Sequence, residues 1–168
     1  MLRLLASEIY KRWAMIIVDL PNEGATGALA ARVAAVAKPG DVIALRGDLG
    51  AGKTSFVRAF IRARGAADAT VPSPTFTLVQ VYELPEATIW HFDFYRLRRP
   101  EEAWELGIEE AFAEGISLIE WPERAGALLP PETLEIALLP GSAPDARRAE
   151  ISGGPGWTSR LAAIGAAA

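Results

Sequence analysis

The eight residues Gly47-Asp48-Leu49-Gly50-Ala51-Gly52-Lys53-Thr54 fit the pattern G-x-x-x-x-G-K-[ST], and no other segment restricts the possible folds as strongly. The pattern has a physical reading at each fixed position. Glycines let the backbone turn tightly and aim N–H groups inward, and the helix that follows presents its positive end. Lys53 then reaches the β- and γ-phosphates of a nucleotide, and the Thr54 hydroxyl becomes a Mg²⁺ ligand. Such a loop needs a buried strand before it and a helix after it. Asp41 to Arg46 contains the apolar run Val42-Ile43-Ala44-Leu45, and a helix is expected from near Lys53 to just before Gly65. At average glycine usage, a chance match arises in very roughly one chain of this size in a few hundred.

The rest of the chain alternates strands and helices. Ile16 to Leu20 reads as a strand, Pro21 to Gly24 as a turn, and Ala25 to Ala37 as a helix with Leu29, Val33 and Val36 at helical spacing. Further strands are expected at Phe76 to Tyr82, Thr88 to Phe94, Ser117 to Trp121, Leu134 to Leu139 and Ala149 to Ser152. Pro100 to Phe112 reads as one or two short helices between them. Together these features predict a three-layer α/β fold of the P-loop NTPase kind, with a mostly parallel central sheet and additional antiparallel strands.

With 168 residues, one domain is the expectation. Its body is placed at 15–156, after an extension from Met1 to Ala14 that is expected to be poorly ordered and before an alanine-rich tail at 157–168 that is expected to fray. Met15 opens directly onto the first strand, which suggests an alternative start there. Arg3, Lys11 and Arg12 surround Leu4 and Leu5, but Glu8 interrupts the patch and no small-residue cleavage site follows, so the segment does not read as a signal peptide. No apolar run approaches the roughly 18–20 residues of a membrane span. A net charge of −4 and a pI of about 5.1 argue against a strong direct grip on DNA, RNA or anionic membrane. Without cysteine and with His91 as the lone histidine, disulfides, thiolate zinc and cysteine nucleophiles are excluded. A cytoplasmic location is expected.

A phosphate loop requires acidic help for its metal, usually at the end of a buried strand. Asp93, ending Thr88 to Asp93, and Glu120, ending Ile116 to Glu120, are the two candidates. For each the bland alternative is a solvated strand end or a helix cap. His91 reads as a structural residue of an aromatic strand. Ser73-Pro74-Thr75-Phe76-Thr77 occupies the place where such proteins often carry a γ-phosphate sensor, and an ordinary proline turn explains it equally well. Neither N-K-x-D nor D-x-x-G occurs, which favours ATP over GTP.

These residues, taken in order, resemble the TsaE (YjeE) family of bacterial ATPases required for N6-threonylcarbamoyladenosine formation in tRNA. The resemblance runs from about Ile16 to Ser152 and is carried by Glu23 to Thr26, the segment Gly47 to Thr54, and Ser73 to Val79. It continues in His91-Phe92-Asp93-Phe94-Tyr95-Arg96-Leu97, Glu105-Leu106-Gly107 and Ile119-Glu120-Trp121-Pro122-Glu123. Met1 to Ala14 has no counterpart in it. The resemblance implies a subunit that docks on a TsaB–TsaD pair, which performs the transfer to tRNA with threonylcarbamoyl-AMP made by TsaC, and hydrolyses ATP to reset that pair. It would touch tRNA only indirectly. It implies that Lys53 binds phosphate, that Thr54 and Glu120 hold Mg²⁺, and that Asp93 supports the metal or the attacking water. Asp48, Leu49, Gly50, Ala51, Gly52 and Ser55 would complete the nucleotide cradle, with Trp121 close by. Glu23, Thr26 and Arg147 would close over the nucleotide, Arg148 being an equal alignment to Arg147. Two other readings stand beside this one: a small-molecule kinase with Arg96, Arg98 and Arg99 as a clamping lid, and a non-hydrolysing sensor in which ATP orders Ser73 to Thr77.

Overall fold

Seven strands form one sheet in the computed structural model, which describes residues 13–166. The order of elements is β1 (Ala14–Leu20), α1 (Glu23–Val36), β2 (Val42–Arg46), α2 (Lys53–Ala63), β3 (Val79–Glu83), β4 (Thr88–Asp93), α3 (Ile108–Glu114), β5 (Ile116–Glu120), β6 (Leu134–Pro140), β7 (Arg147–Gly153) and α4 (Thr158–Gly165). Two 3₁₀ stretches, Pro100–Leu106 and Pro122–Leu128, flank β5 in sequence. Across the sheet the order is β1-β7-β6-β2-β5-β4-β3. Pairings β6·β2, β2·β5 and β5·β4 are parallel, whereas β1·β7, β7·β6 and β4·β3 are antiparallel. The parallel character expected of most of the sheet is therefore confined to its middle.

Burial follows the two-residue period of the strands. On one face Ile43, Leu45, Ile89, Ile116 and Leu118 meet α1 and α2, whose Leu29, Val33, Phe56, Val57, Phe60 and Ile61 are fully buried. On the other face Val42, Phe92 and Ile119 pack under α3 and the 3₁₀ stretches in a smaller cluster with Phe94, Leu97 and Ile108. The β2, β5 and β4 strands are thus covered on both sides, giving the expected three layers, and they read as continuous apolar runs for that reason.

Three expectations require correction. Most of the expected tail is folded: Trp157 is 1% exposed, Leu161 and Ile164 of α4 are buried with it in the main cluster, and only residues 167–168 lie outside the described ones. Alanine content disguised an amphipathic turn. Arg160 then fixes α4, its guanidinium gripping both carboxylate oxygens of Asp41 and lying over the Trp157 ring. The strand expected from Phe76 begins only at Val79, because Ser73 and Thr75 donate to the Asp93 carboxylate and hold the preceding segment off the sheet. At the N-terminus, Ala14 already pairs with Gly153, so the domain starts one residue earlier than expected. Met1 to Arg12, the bulk of the expected extension, lie outside the described residues. No helix among those described is long and apolar enough to cross a membrane.

Trp157 fills space between α4 and the sheet and donates its indole N–H to the Glu132 carbonyl at 2.9 Å. We expect Trp157→Ala to cost about 3–5 kcal/mol, the range for deleting a large buried aromatic. A melting temperature lowered by roughly ten degrees would register that loss, and an unchanged melting curve would show that the C-terminal segment is dispensable.

Candidate functional site

The C-terminal ends of β2, β4 and β5 converge on the phosphate-loop sequence. Gly47 follows β2 with φ +144°, and a Cβ there would come within 2.7 Å of the Leu138 carbonyl oxygen, so only glycine lets the loop leave the sheet this close to β6. Gly50 and Gly52 also have positive φ, and Gly52 caps α2. The turn delivers Lys53 and Thr54 to the first turn of an 11-residue helix, where backbone N–H groups have no partner within the helix.

Lys53 is 5% exposed. Its ammonium donates to the carbonyls of Gly47 at 2.5 Å and Asp48 at 2.9 Å and sits 4.0 Å from the centre of the Trp121 ring. Burial pushes the ammonium below the ordinary lysine range, while Glu120, Glu123, Asp93 and Asp48 pull it partly back. Trp121 reaches this position because its backbone turns left-handed, φ +57°, immediately after β5. That is a costly conformation for a bulky residue. Tyr95 packs against the indole with ring centroids 5.0 Å apart.

Glu120 and Asp93 stand opposite each other in the β4·β5 register. Both are buried, and they have different partners. Glu120 accepts from the Thr54 hydroxyl, 3.0 Å from each carboxylate oxygen, and from His91 Nε2 at 2.8 Å. Asp93 accepts from Ser73 Oγ at 3.2 Å, Thr75 Oγ1 at 3.1 Å and the Tyr95 backbone N–H at 3.0 Å. The sensor-like segment is therefore tied to Asp93, and Glu120 to the loop itself. His91, expected from the sequence to be a structural residue of its strand, is fully buried and bonds Glu120, and its Nδ1 has no partner among the described residues.

Three clefts border the glycine turn, and two of them hold most of the expected residues. One, of about 310 Å³, contains Lys53, Thr54, Asp93, Glu120 and Trp121 with Leu49, Gly50, Gly52 and Ser55. The other, of about 440 Å³, is lined by Glu23, Thr26, Ala51, Ser55 and Arg147, and also by Asn22 and Asp145. Ser55 belongs to both, and its hydroxyl donates to Glu23 at 2.8 Å. Asp48 contributes its backbone carbonyl to Lys53 and lines neither of these two. Sequence reasoning passed over Tyr95, Asn22 and Asp145 as site residues. Tyr95 alone had a signal, two residues beyond an acid already singled out.

Thr54, Glu120 and Asp93 offer a hydroxyl and two carboxylates, all hard oxygen donors of the type Mg²⁺ accepts. Among the described residues no group of three or more His, Cys, Asp or Glu side chains could cage a metal alone. A divalent ion here would thus depend on ligand phosphates and water, the usual arrangement for Mg²⁺ beside a nucleotide.

A family model described as threonylcarbamoyl adenosine biosynthesis protein TsaE matches residues 20–149. A Rickettsia felis protein called tRNA threonylcarbamoyladenosine biosynthesis protein TsaE is 46% identical over 119 residues, 71% of this chain and 70% of that one. The Bacillus subtilis protein of the same name is 42% identical over 118 residues, 70% and 73% of the two chains. A crystal structure of Bacillus subtilis YdiB matches with a TM-score of 0.77 and 31% identity, covering 90% of this chain and 95% of that one.

Because burial disfavours the Lys53 charge, a polyphosphate entering the loop should restore it. In the alkaline range we expect ATP binding to take up protons, and affinity to fall as pH rises, since burial lowers the pH at which unliganded Lys53 loses its proton. Calorimetry in two buffers of different ionisation heat measures the uptake. The Lys53→Ala variant should show no such uptake and at least about a hundredfold weaker binding.

Proposed function

The chain belongs to the TsaE family of threonylcarbamoyl adenosine biosynthesis proteins, and from that premise we propose that it is a Mg-dependent P-loop ATPase. In this reading it supports N6-threonylcarbamoyladenosine formation next to the tRNA anticodon by acting on a TsaB–TsaD complex in the cytoplasm. The observation that carries the ATPase reading is the contact of Thr54 with Glu120, which sets a loop hydroxyl and a strand-end carboxylate on one point beside Lys53. The P-loop fold itself is supported by the parallel strands β2, β5 and β4 leading into a glycine turn and helix.

Each residue then has a distinct task. The N–H groups of the turn and the first residues of α2 bind the polyphosphate, and Lys53 exchanges its backbone carbonyl partners for phosphate oxygens. Bound Mg²⁺ would neutralise charge building up between the β- and γ-phosphates. Thr54 and Glu120 hold the metal-binding position, and Asp93 orients water from the adjoining strand. Burial of Asp93 and Glu120 keeps bulk solvent away and strengthens both effects. Ser73 and Thr75, bonded to Asp93, give the site a path to the exposed Phe76, 82% accessible at the tip of that segment.

The kinase alternative needs free arginines over the phosphates. Arg96 instead stacks on the Phe76 ring at 4.4 Å, and Arg99 pairs with Glu102.

The test is phosphate release from ATP by the protein alone and with the TsaB–TsaD pair. Stimulation by the pair, without any phosphorylated small molecule, is the expected result. A phosphorylated product would favour the kinase, and binding without release would favour a sensor. Glu120→Gln keeps the size and removes the charge. We expect its ATP affinity to stay within about tenfold and its hydrolysis to fall about 10²-fold or more, the scale of losing one preorganised electrostatic group. Full activity in Glu120→Gln with loss in Asp93→Asn would exchange the two roles.

A further inference from the structure

Arg147, the first residue of β7, directs its guanidinium at backbone and, among the described residues, at no side chain. Nε donates to the Ala51 carbonyl at 3.2 Å and Nη2 to the Gly50 carbonyl at 3.1 Å. Nη1 donates to the carbonyls of Pro144 at 2.8 Å and Ala146 at 2.7 Å. A guanidinium has about five N–H groups, so these bonds occupy most of its capacity. The side chain bridges the connection between β6 and β7 to the glycine turn.

The choice of acceptors has a consequence for the cradle. A loop that gathers N–H groups around an anion must rotate its peptide planes so that the corresponding carbonyls face outward. Gly50 and Ala51 lie within that turn, between the positive-φ glycines Gly47 and Gly52. Left to water, flexible glycine peptides flip between orientations. A planar fork that accepts no substitute geometry holds two of them in the same sense. The sequence reading placed Arg147 over the nucleotide, and it does line the larger cleft, but its donors are committed to the loop.

We infer that Arg147 is a positioning residue that presets the phosphate cradle by capping the outward carbonyls of Gly50 and Ala51, and so governs affinity for the polyphosphate and not for base or ribose. The inference rests on the nucleotide reading proposed above. It distinguishes three roles by chemistry. A loop clip acts equally on any ligand that carries the phosphates, a base or ribose contact acts on nucleotides only, and simple charge attraction is satisfied by any cation at the position.

Calorimetric titration of the full chain with Mg-ATP and with Mg-tripolyphosphate separates them, using the parent, Arg147→Met and Arg147→Lys. Both variants should lose affinity for both ligands by the same factor, roughly tenfold, as for a net loss of one or two hydrogen bonds. Weakening of ATP alone, or full rescue by lysine, would overturn the assignment. If Arg147→Met fails to fold by thermal melt, Arg147→Lys carries the same comparison. In the nucleotide-free protein, ¹⁵N relaxation at Gly50 to Lys53 should report larger fast motions in the variants than in the parent, and unchanged relaxation would also overturn it. A parent that binds neither ligand would reject the nucleotide reading, while the relaxation measurement still judges the clip independently.

Discussion

Glu120 places a carboxylate at 3% exposure, and the arrangement of the middle of the sheet follows from keeping it supplied with donors. An unpaired buried charge would be prohibitive. Its two side-chain donors come from opposite directions: Thr54 from the helix launched by β2, and His91 from β4. Only with β5 between β2 and β4 do both reach one carboxylate, and that is the observed order. All three strands run parallel, so their C-terminal ends lie at one edge of the sheet, where ligands of open α/β sheets gather. Strand order, strand direction and the position of the acid are one constraint seen at three scales.

The antiparallel flank has a different task. Strands β6, β7 and β1 extend the sheet under α1 and α4, burying Ile136, Leu138, Ala149 and Ile151, which gives a domain of this size the core area it needs. The same flank supports the loop. Leu138 on β6 presses its carbonyl close to Gly47, and Arg147 at the start of β7 caps Gly50 and Ala51. Stability and loop geometry are therefore coupled through residues that never face a ligand's reacting atoms.

Much of this was legible in the sequence, and what was not shares a cause. The glycine turn, the helix after it, the buried strands and the two strand-end acids follow from local patterns, because strand-turn-helix chemistry is written within a dozen residues. Partners across the sheet are not. Nothing in Thr88 to Asp93 says that His91 will meet a carboxylate on the neighbouring strand, since that depends on register. Ser73 and Thr75 could equally have entered a strand, and only their bonds to Asp93, 20 and 18 residues away, decide otherwise. The tail misled for a compositional reason: its small alanines obscure the one-sided placement of Trp157, Leu161 and Ile164, which becomes a signal only once the groove between α1 and β1 exists.

Strain locates the site as clearly as charge does. Among the described residues only Leu78 and Trp121 have positive φ without being glycine: Leu78 closes the segment that brings Ser73 and Thr75 to Asp93, and Trp121 directly follows Glu120. Leu78 is held there by bonds from its own N–H to Pro74 and from Asp93 N–H to its carbonyl. Trp121 is held by Lys53 over its ring and by Tyr95 packed against it. Each left-handed residue costs about 1–2 kcal/mol, and the contacts that offset the cost are those that shape the cleft. Lys53 is accordingly buried and bonded by the fold itself. In the nucleotide reading proposed above, binding would exchange carbonyl oxygens for phosphate oxygens around a cation already withdrawn from water, so that much of the desolvation a surface lysine would undergo on capture is met in folding.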